Sequence, residues 1–122
     1  MRQVFHLPYP ISVNDMFANN NGRGRGRYPT KEYRAWKVHA EKAMRKTGVQ
    51  LIDGLTVVDI EIGRKDGRRR DIDNQIKGIL DMLTHMGVIE DDYLVARVTA
   101  EWVPKTQVDG ARVTVAAYEK GR

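Results

Sequence analysis

Four stretches of this chain carry apolar residues at a clear period, and they predict most of its architecture. Over residues 30–47, Tyr33, Trp36, Ala40, Ala43, Met44 and Thr47 fall three or four positions apart, which lays one buried stripe along a helix. Thr30 is a natural N-cap for that helix and Gly48 a natural stop. A second helix follows Ile72, with Ile76, Ile79, Leu80, Leu83 and Met86 on its buried side. Gly87 ends it, and either Asp71 or Asp73 is expected to cap its start. Residues 55–62 alternate instead. Val58, Ile60 and Ile62 point one way and Val57, Asp59 and Glu61 the other, as on a half-buried strand. Further strands are predicted at residues 4–7, halted by Pro8 and Pro10, and at 94–103 and 112–118. The last two are joined by a turn containing Pro104, Asp109 and Gly110, so they are expected to pair as a hairpin.

The order strand, long loop, helix, strand, helix, strand, strand predicts an α+β fold of two layers, with helices packed on one face of a small mixed or antiparallel sheet. A length of 122 residues suits a single domain spanning 1–122. Residues 12–29 are turn-rich and end in the run Gly22-Arg23-Gly24-Arg25-Gly26-Arg27. A mobile Gly/Arg-rich loop is expected around 18–29. Its glycines would let the backbone approach a phosphate while Arg23, Arg25 and Arg27 spread along it.

Composition narrows the function. The apolar share of 41% with 30% charged residues is that of a soluble globular chain. No apolar run approaches the ~20 residues of a membrane span. No signal peptide opens the sequence, and a cytoplasmic location is expected. The absence of cysteine excludes disulfides and thiolate zinc sites. Net charge is +5 with a pI near 9.6, and the excess is clustered. Residues 22–47 hold nine Lys/Arg against two Glu, and residues 64–70 hold five against one Asp. Clustering of this kind points to a polyanionic partner, most often nucleic acid.

The candidate chemistry lies at residues 68–77. Arg68, Arg69 and Arg70 run directly into Asp71 and Asp73, placed two residues apart. Lys77 lies four residues past Asp73, hence one turn along the same helix face, and Asp92 returns in the knot Glu90-Asp91-Asp92. Guanidiniums grip phosphates, and hard divalent cations such as Mg²⁺ choose carboxylate oxygens, waters and substrate phosphate. Such a cation would polarise a scissile phosphate, with Lys77 balancing growing negative charge and Asn74 near a phosphate at the helix start. The same acids have a plainer use: capping and the helix dipole, worth ~0.5–2 kcal/mol, and ordinary ion pairs of Lys77 with Asp73 or Asp81. His6, His39 and His85 have no metal-ligand spacing. The glycine-arginine run lacks the Lys-Ser/Thr ending of a nucleotide-binding loop, so no nucleotide cofactor is expected.

The stretch Arg69-Arg70-Asp71-Ile72-Asp73-Asn74-Gln75-Ile76-Lys77, followed by Leu80-Asp81-Met82-Leu83 and Glu90-Asp91-Asp92, resembles the RusA family of Holliday junction resolvases. Leu7-Pro8-Tyr9-Pro10 with Asn14, and the Arg/Gly-rich loop, resemble that family's opening. Ile72 stands where the family usually has Leu. The resemblance implies a Mg²⁺-dependent homodimeric endonuclease (Mn²⁺ may substitute), often phage-borne, that cuts four-way DNA junctions by paired nicks in recombination and repair. Carried over by position, the catalytic and metal-binding carboxylates fall on Asp71, Asp73 and Asp92, and the essential lysine on Lys77. Asp92 rather than Asp91 has the matching spacing from Asp73. Arg69 and Arg70 would grip the backbone near the site. Two other readings of the same residues are a non-catalytic basic nucleic-acid-binding module and a metal nuclease for other branched DNA.

Overall fold

A computed structural model of the chain describes residues 2–19 and 26–119. The expected α+β architecture is present. The main sheet holds β1 (Arg2–Leu7), β4 (Thr56–Arg64), β5 (Val95–Pro104) and β6 (Ala111–Ala117) in the order β1-β6-β4-β5. Pairs β1/β6 and β6/β4 are antiparallel, and β4/β5 is parallel. Helices α1 (Lys31–Thr47) and α2 (Lys77–His85) carry the apolar stripes read from their spacing. Tyr33, Trp36, Ala40 and Met44 from α1, and Ile79, Met82 and Leu83 from α2, share one core with Phe5, Leu7, Val58, Ile60, Ile62, Val113 and Val115 of the sheet. Register explains the shared face: Ile60 lies opposite Val113, which lies opposite Phe5. Ala43 is only half-buried and Thr47 is exposed, so the α1 stripe is narrower than its spacing suggests.

Three expectations need correction. The last two strands do not form a hairpin: β4 lies between them. β4, α2 and β5 form a strand–helix–strand unit whose strands are parallel, and β6 takes the other side of β4. The connection from β5 to β6 must therefore pass over the end of β4. It can do so because the next-to-last residue of β4 is Gly63, where a Cβ would sit 1.8 Å from the Val108 carbonyl oxygen. Gly63 N–H donates to Gly110 O at 2.8 Å and fixes the crossing.

The second correction concerns residues 12–29, expected to be a turn-rich connection without strands. A 3-10 turn (Val13–Asp15) and a small antiparallel ribbon, β2 (Phe17–Asn19) with β3 (Arg27–Pro29), are built there. Tyr33 meets Phe17 edge-on at 5.6 Å, and Arg27 sits over the Phe17 ring at 5.1 Å. Thus α1 anchors the ribbon. Arg23 and Arg25 lie outside the described residues. The third concerns the start of the second helix. A 3-10 turn (Ile72–Gln75) comes first and α2 proper begins at Lys77, so the α-helix is shorter than its apolar spacing suggests.

Candidate active site

The two helix starts use their polar residues differently. At α1, Thr30 Oγ1 accepts the Tyr33 N–H at 3.2 Å and donates to Asp15 O at 2.6 Å, an N-cap that also ties down the loop before it. Asp71 occupies the N-cap position of the 3-10 turn Ile72–Gln75, yet its side chain makes no capping bond. Its main-chain carbonyl does the local work instead, accepting Asn74 N–H at 3.2 Å. Asp71 and Asp73 are both exposed. Among the described residues neither carboxylate has a hydrogen bond or an ion pair. Capping therefore does not account for either acid.

Asp71, Asn74 and Gln75 line one side of a cleft of about 530 Å³. Arg68, Arg69, Arg70 and Lys65 line another side, and Tyr9, Asn14 and Asp15 bring the chain's first loop to it. The three arginines are not equivalent. Arg70 is held in a two-pronged pair with Asp66, at 2.6 and 3.0 Å, and Arg68 N–H donates to the same carboxylate at 2.9 Å. The Arg70 hydrogen bonds come first among the causes that hold Asp66 far below the usual carboxylate range. Arg70 thus shapes the loop. The guanidiniums of Arg68 and Arg69 are exposed and unpaired among the described residues, free to meet a phosphate. Lys65 lies 4.5 Å above the Tyr9 ring and Arg70 5.8 Å from it. Burial pushes the Tyr9 phenol up in spite of Arg70, and its hydroxyl has no hydrogen bond of acceptable geometry.

One turn further on, Lys77 contacts Asp81 Oδ1 at 2.9 Å and Asp92 Oδ2 at 3.5 Å. The Asp81 hydrogen bond is the main cause that raises the Lys77 pKa, so Lys77 is an ammonium at neutral pH. Asp92 Oδ1 accepts the Thr84 hydroxyl at 2.7 Å. The fold therefore brings Lys77 and Asp92 together across 15 residues of sequence. Among the described residues, however, no three acidic or imidazole side chains are grouped closely enough to hold a metal ion. Asp71, Asp73 and Asp92 are therefore not gathered into one cage, and Asp92 instead contacts Thr84 and Lys77. Hard cations are commonly held by one or two protein carboxylates plus water and phosphate, and the free oxygens of Asp71 and Asp73 fit that requirement.

Sequence reasoning missed Asp66, Thr84, Lys65 and Tyr9 as participants. Thr84 had a readable signal: with Lys77 and Asp81 it follows the three-and-four spacing of one helix face. Asp66 also stands four residues before Arg70, but in a loop, where that spacing predicts no contact.

Fold and site together define a small α+β protein with a cationic, carboxylate-bearing cleft suited to a phosphodiester strand. Comparison with known proteins gives the family. The profile of the family described as Endodeoxyribonuclease RusA matches residues 8–117, and the chain belongs to that family. It is 32% identical to the crossover junction endodeoxyribonuclease rusA of Enterobacteria phage HK97, over 72% of each chain. It is 31% identical to the enzyme of the same name from Enterobacteria phage 82, over 94% of this chain and 92% of that one. The crossover junction endodeoxyribonuclease RusA of Escherichia coli strain K12 is 29% identical over the same shares. Among the described residues no helix is long and apolar enough to cross a membrane.

Proposed function

We propose that this chain is a Mg²⁺-dependent endodeoxyribonuclease that resolves four-way DNA junctions by paired symmetric nicks, acting as a homodimer in recombination and repair. The observation that carries this reading is the pair of exposed carboxylates, Asp71 and Asp73, unpartnered among the described residues, with Asp71 lining a cationic cleft in a chain of the RusA family. Arg68 and Arg69 bind the phosphate backbone, and Asn74 and the amides of the Ile72–Gln75 turn orient it. Asp71 and Asp73 would hold the cation (Mn²⁺ may substitute), and Asp92, bonded to Thr84 and Lys77 in this structure, would have to swing toward them to serve as the third carboxylate. When bound, that cation polarises the scissile phosphate and acidifies the attacking water. Lys77 offsets negative charge that grows on the phosphorane, while Thr84 fixes the rotation of the Asp92 carboxylate. Choice of a branched substrate rests on shape and phosphate contacts rather than on base edges.

The test is cleavage of a labelled four-way junction, a flap and a plain duplex, each with and without Mg²⁺. Symmetric nicks in the junction alone, only with the cation, are expected. Binding without cleavage would leave a non-catalytic module, and preference for the flap would leave a nuclease of other branched DNA.

A further inference from the structure

The sheet has two outer strands, and β5 is the less protected. It pairs only with β4, and among the described residues the backbone groups on its other side have no hydrogen-bond partner. Its one irregularity falls between Val95 and Arg97, and the run from Arg97 to Val103 contains no proline or lysine to discourage pairing. Its side chains are sorted by face. Val98, Ala100 and Trp102 lean on the core, while Arg97, Thr99 and Glu101 are exposed.

The two charges that β5 puts on that exposed face, Arg97 and Glu101, are unpaired among the described residues. Glu101 lies directly opposite another acid, Glu61, whose carboxylate is already taken by Arg112 at 2.6 Å. Arg97 lies opposite Val57. Neither Glu101 nor Arg97 has an ion pair among the described residues. Like charges set opposite one another destabilise a sheet, so the placement of Glu101 is unfavourable in the isolated chain.

We infer that β5 is the surface on which a second copy of this chain docks, pairing antiparallel to its own counterpart about a two-fold axis at Thr99. Antiparallel pairing about a two-fold sets residue i opposite residue j with a constant sum. Centred on Thr99, it sets Arg97 of each copy opposite Glu101 of the other, and Val98 opposite Ala100. A register centred one residue away in either direction leaves both charges without a counter-ion. The other outer strand, β1, lacks this property: paired about Val4, it sets Arg2 opposite His6 and offers no acid. The joined sheet would be eight strands wide, with the core-facing residues of the two copies continuous across the seam. This placement rests on the homodimeric reading above and names its surface.

Two measurements test it, each made on the full chain beside the junction-cleavage assay so that loss of dimer and loss of nuclease activity are told apart. In sedimentation equilibrium, Arg97→Glu and Glu101→Arg each set like charges face to face twice per dimer, and each is expected to weaken association about 10-fold. The double variant swaps the pair and is expected to return association to within about 3-fold of the wild type, which also shows that the single variants are not merely misfolded. Thr99→Cys puts the chain's one cysteine opposite its own copy, and a disulfide-linked dimer is expected on mild oxidation. A dimer that is indifferent to the charge changes and yields no Thr99→Cys cross-link would overturn the β5 surface and leave the nuclease reading intact. A chain that stays monomeric while it cleaves junctions would overturn both the surface and the dimer.

Discussion

Thr30 and Asp71 stand at equivalent places, each the last extended residue before a helical segment, and they are used in opposite ways. Thr30 spends its hydroxyl on the Tyr33 amide and the Asp15 carbonyl. Among the described residues Asp71 leaves its carboxylate unpaired, as does Asp73 two residues later, although both stand where a helix start would reward an acid. The difference separates acids that stabilise from acids held in reserve. Glu61 and Asp66 belong to the first kind, each locked to an arginine. Asp71 and Asp73 belong to the second, and Asp71 lines a cleft whose Arg68 and Arg69 are equally unpaired among the described residues.

The comparison sharpens most at Lys77, which touches both kinds of chemistry. Lys77→Met removes the one ammonium beside Asp92, and single-turnover cleavage is expected to fall by roughly 10²–10³. Because its pKa is raised, wild-type cleavage should not decline with rising pH through loss of this proton until the pH passes the ordinary lysine value of about 10.4. Cleavage that instead rises with pH through the neutral range, in a way that Lys77→Met abolishes, would point to a base. A smaller effect is expected at Thr84. Thr84→Val frees Asp92 to rotate, and about 10-fold of cleavage should be lost while junction affinity holds; Thr84→Ser should recover most of it.

Smaller again are the phosphate contacts. Arg68→Ala and Arg69→Ala should each weaken junction binding by about 5-fold in 100 mM salt and each reduce the slope of log affinity against log salt by roughly 1. A slope unchanged in both variants would place the DNA elsewhere. Smallest is Glu61→Gln, on the sheet face away from the helices. The Arg112 hydrogen bond holds the Glu61 pKa below the usual value, so the stability it contributes is present above about pH 4.3 and lost as pH falls through the lower folded-state value. The variant should lose about 2 °C in melting temperature at pH 7, progressively less as the pH falls below about 4.3, and no cleavage activity.

Much of this was legible before the fold was known, and what was not has physical reasons. The stripes of α1 and the alternation of β4 are set by burial on one face, which leaves a period in the sequence; Tyr33, Trp36, Val58 and Ile60 all fall where the period puts them. Strand order leaves no such trace. Nothing periodic told that β6 would leave β5 and cross to the far side of β4; the crossing depends on Gly63, where two backbones come too close for any side chain. Among site residues, Asp71, Asp73, Lys77 and Asp92 were visible as a local run of charge and by family resemblance. That Asp71 does not cap, that Arg70 belongs to Asp66, and that Thr84 steadies Asp92 are matters of which partner wins a side chain, and only three-dimensional placement decides that.

A crossed measurement on Thr30→Ala and Asp73→Asn separates a helix start that serves stability from one that serves chemistry. Thr30→Ala should lose about 1 kcal/mol of stability and keep wild-type junction cleavage at a temperature where it is folded. Asp73→Asn should keep the wild-type melting temperature, bind the junction as well or better, and cleave it at least about 10³-fold more slowly with Mg²⁺. An Asp73→Asn protein that melts early and still cuts at the wild-type rate would contradict the account.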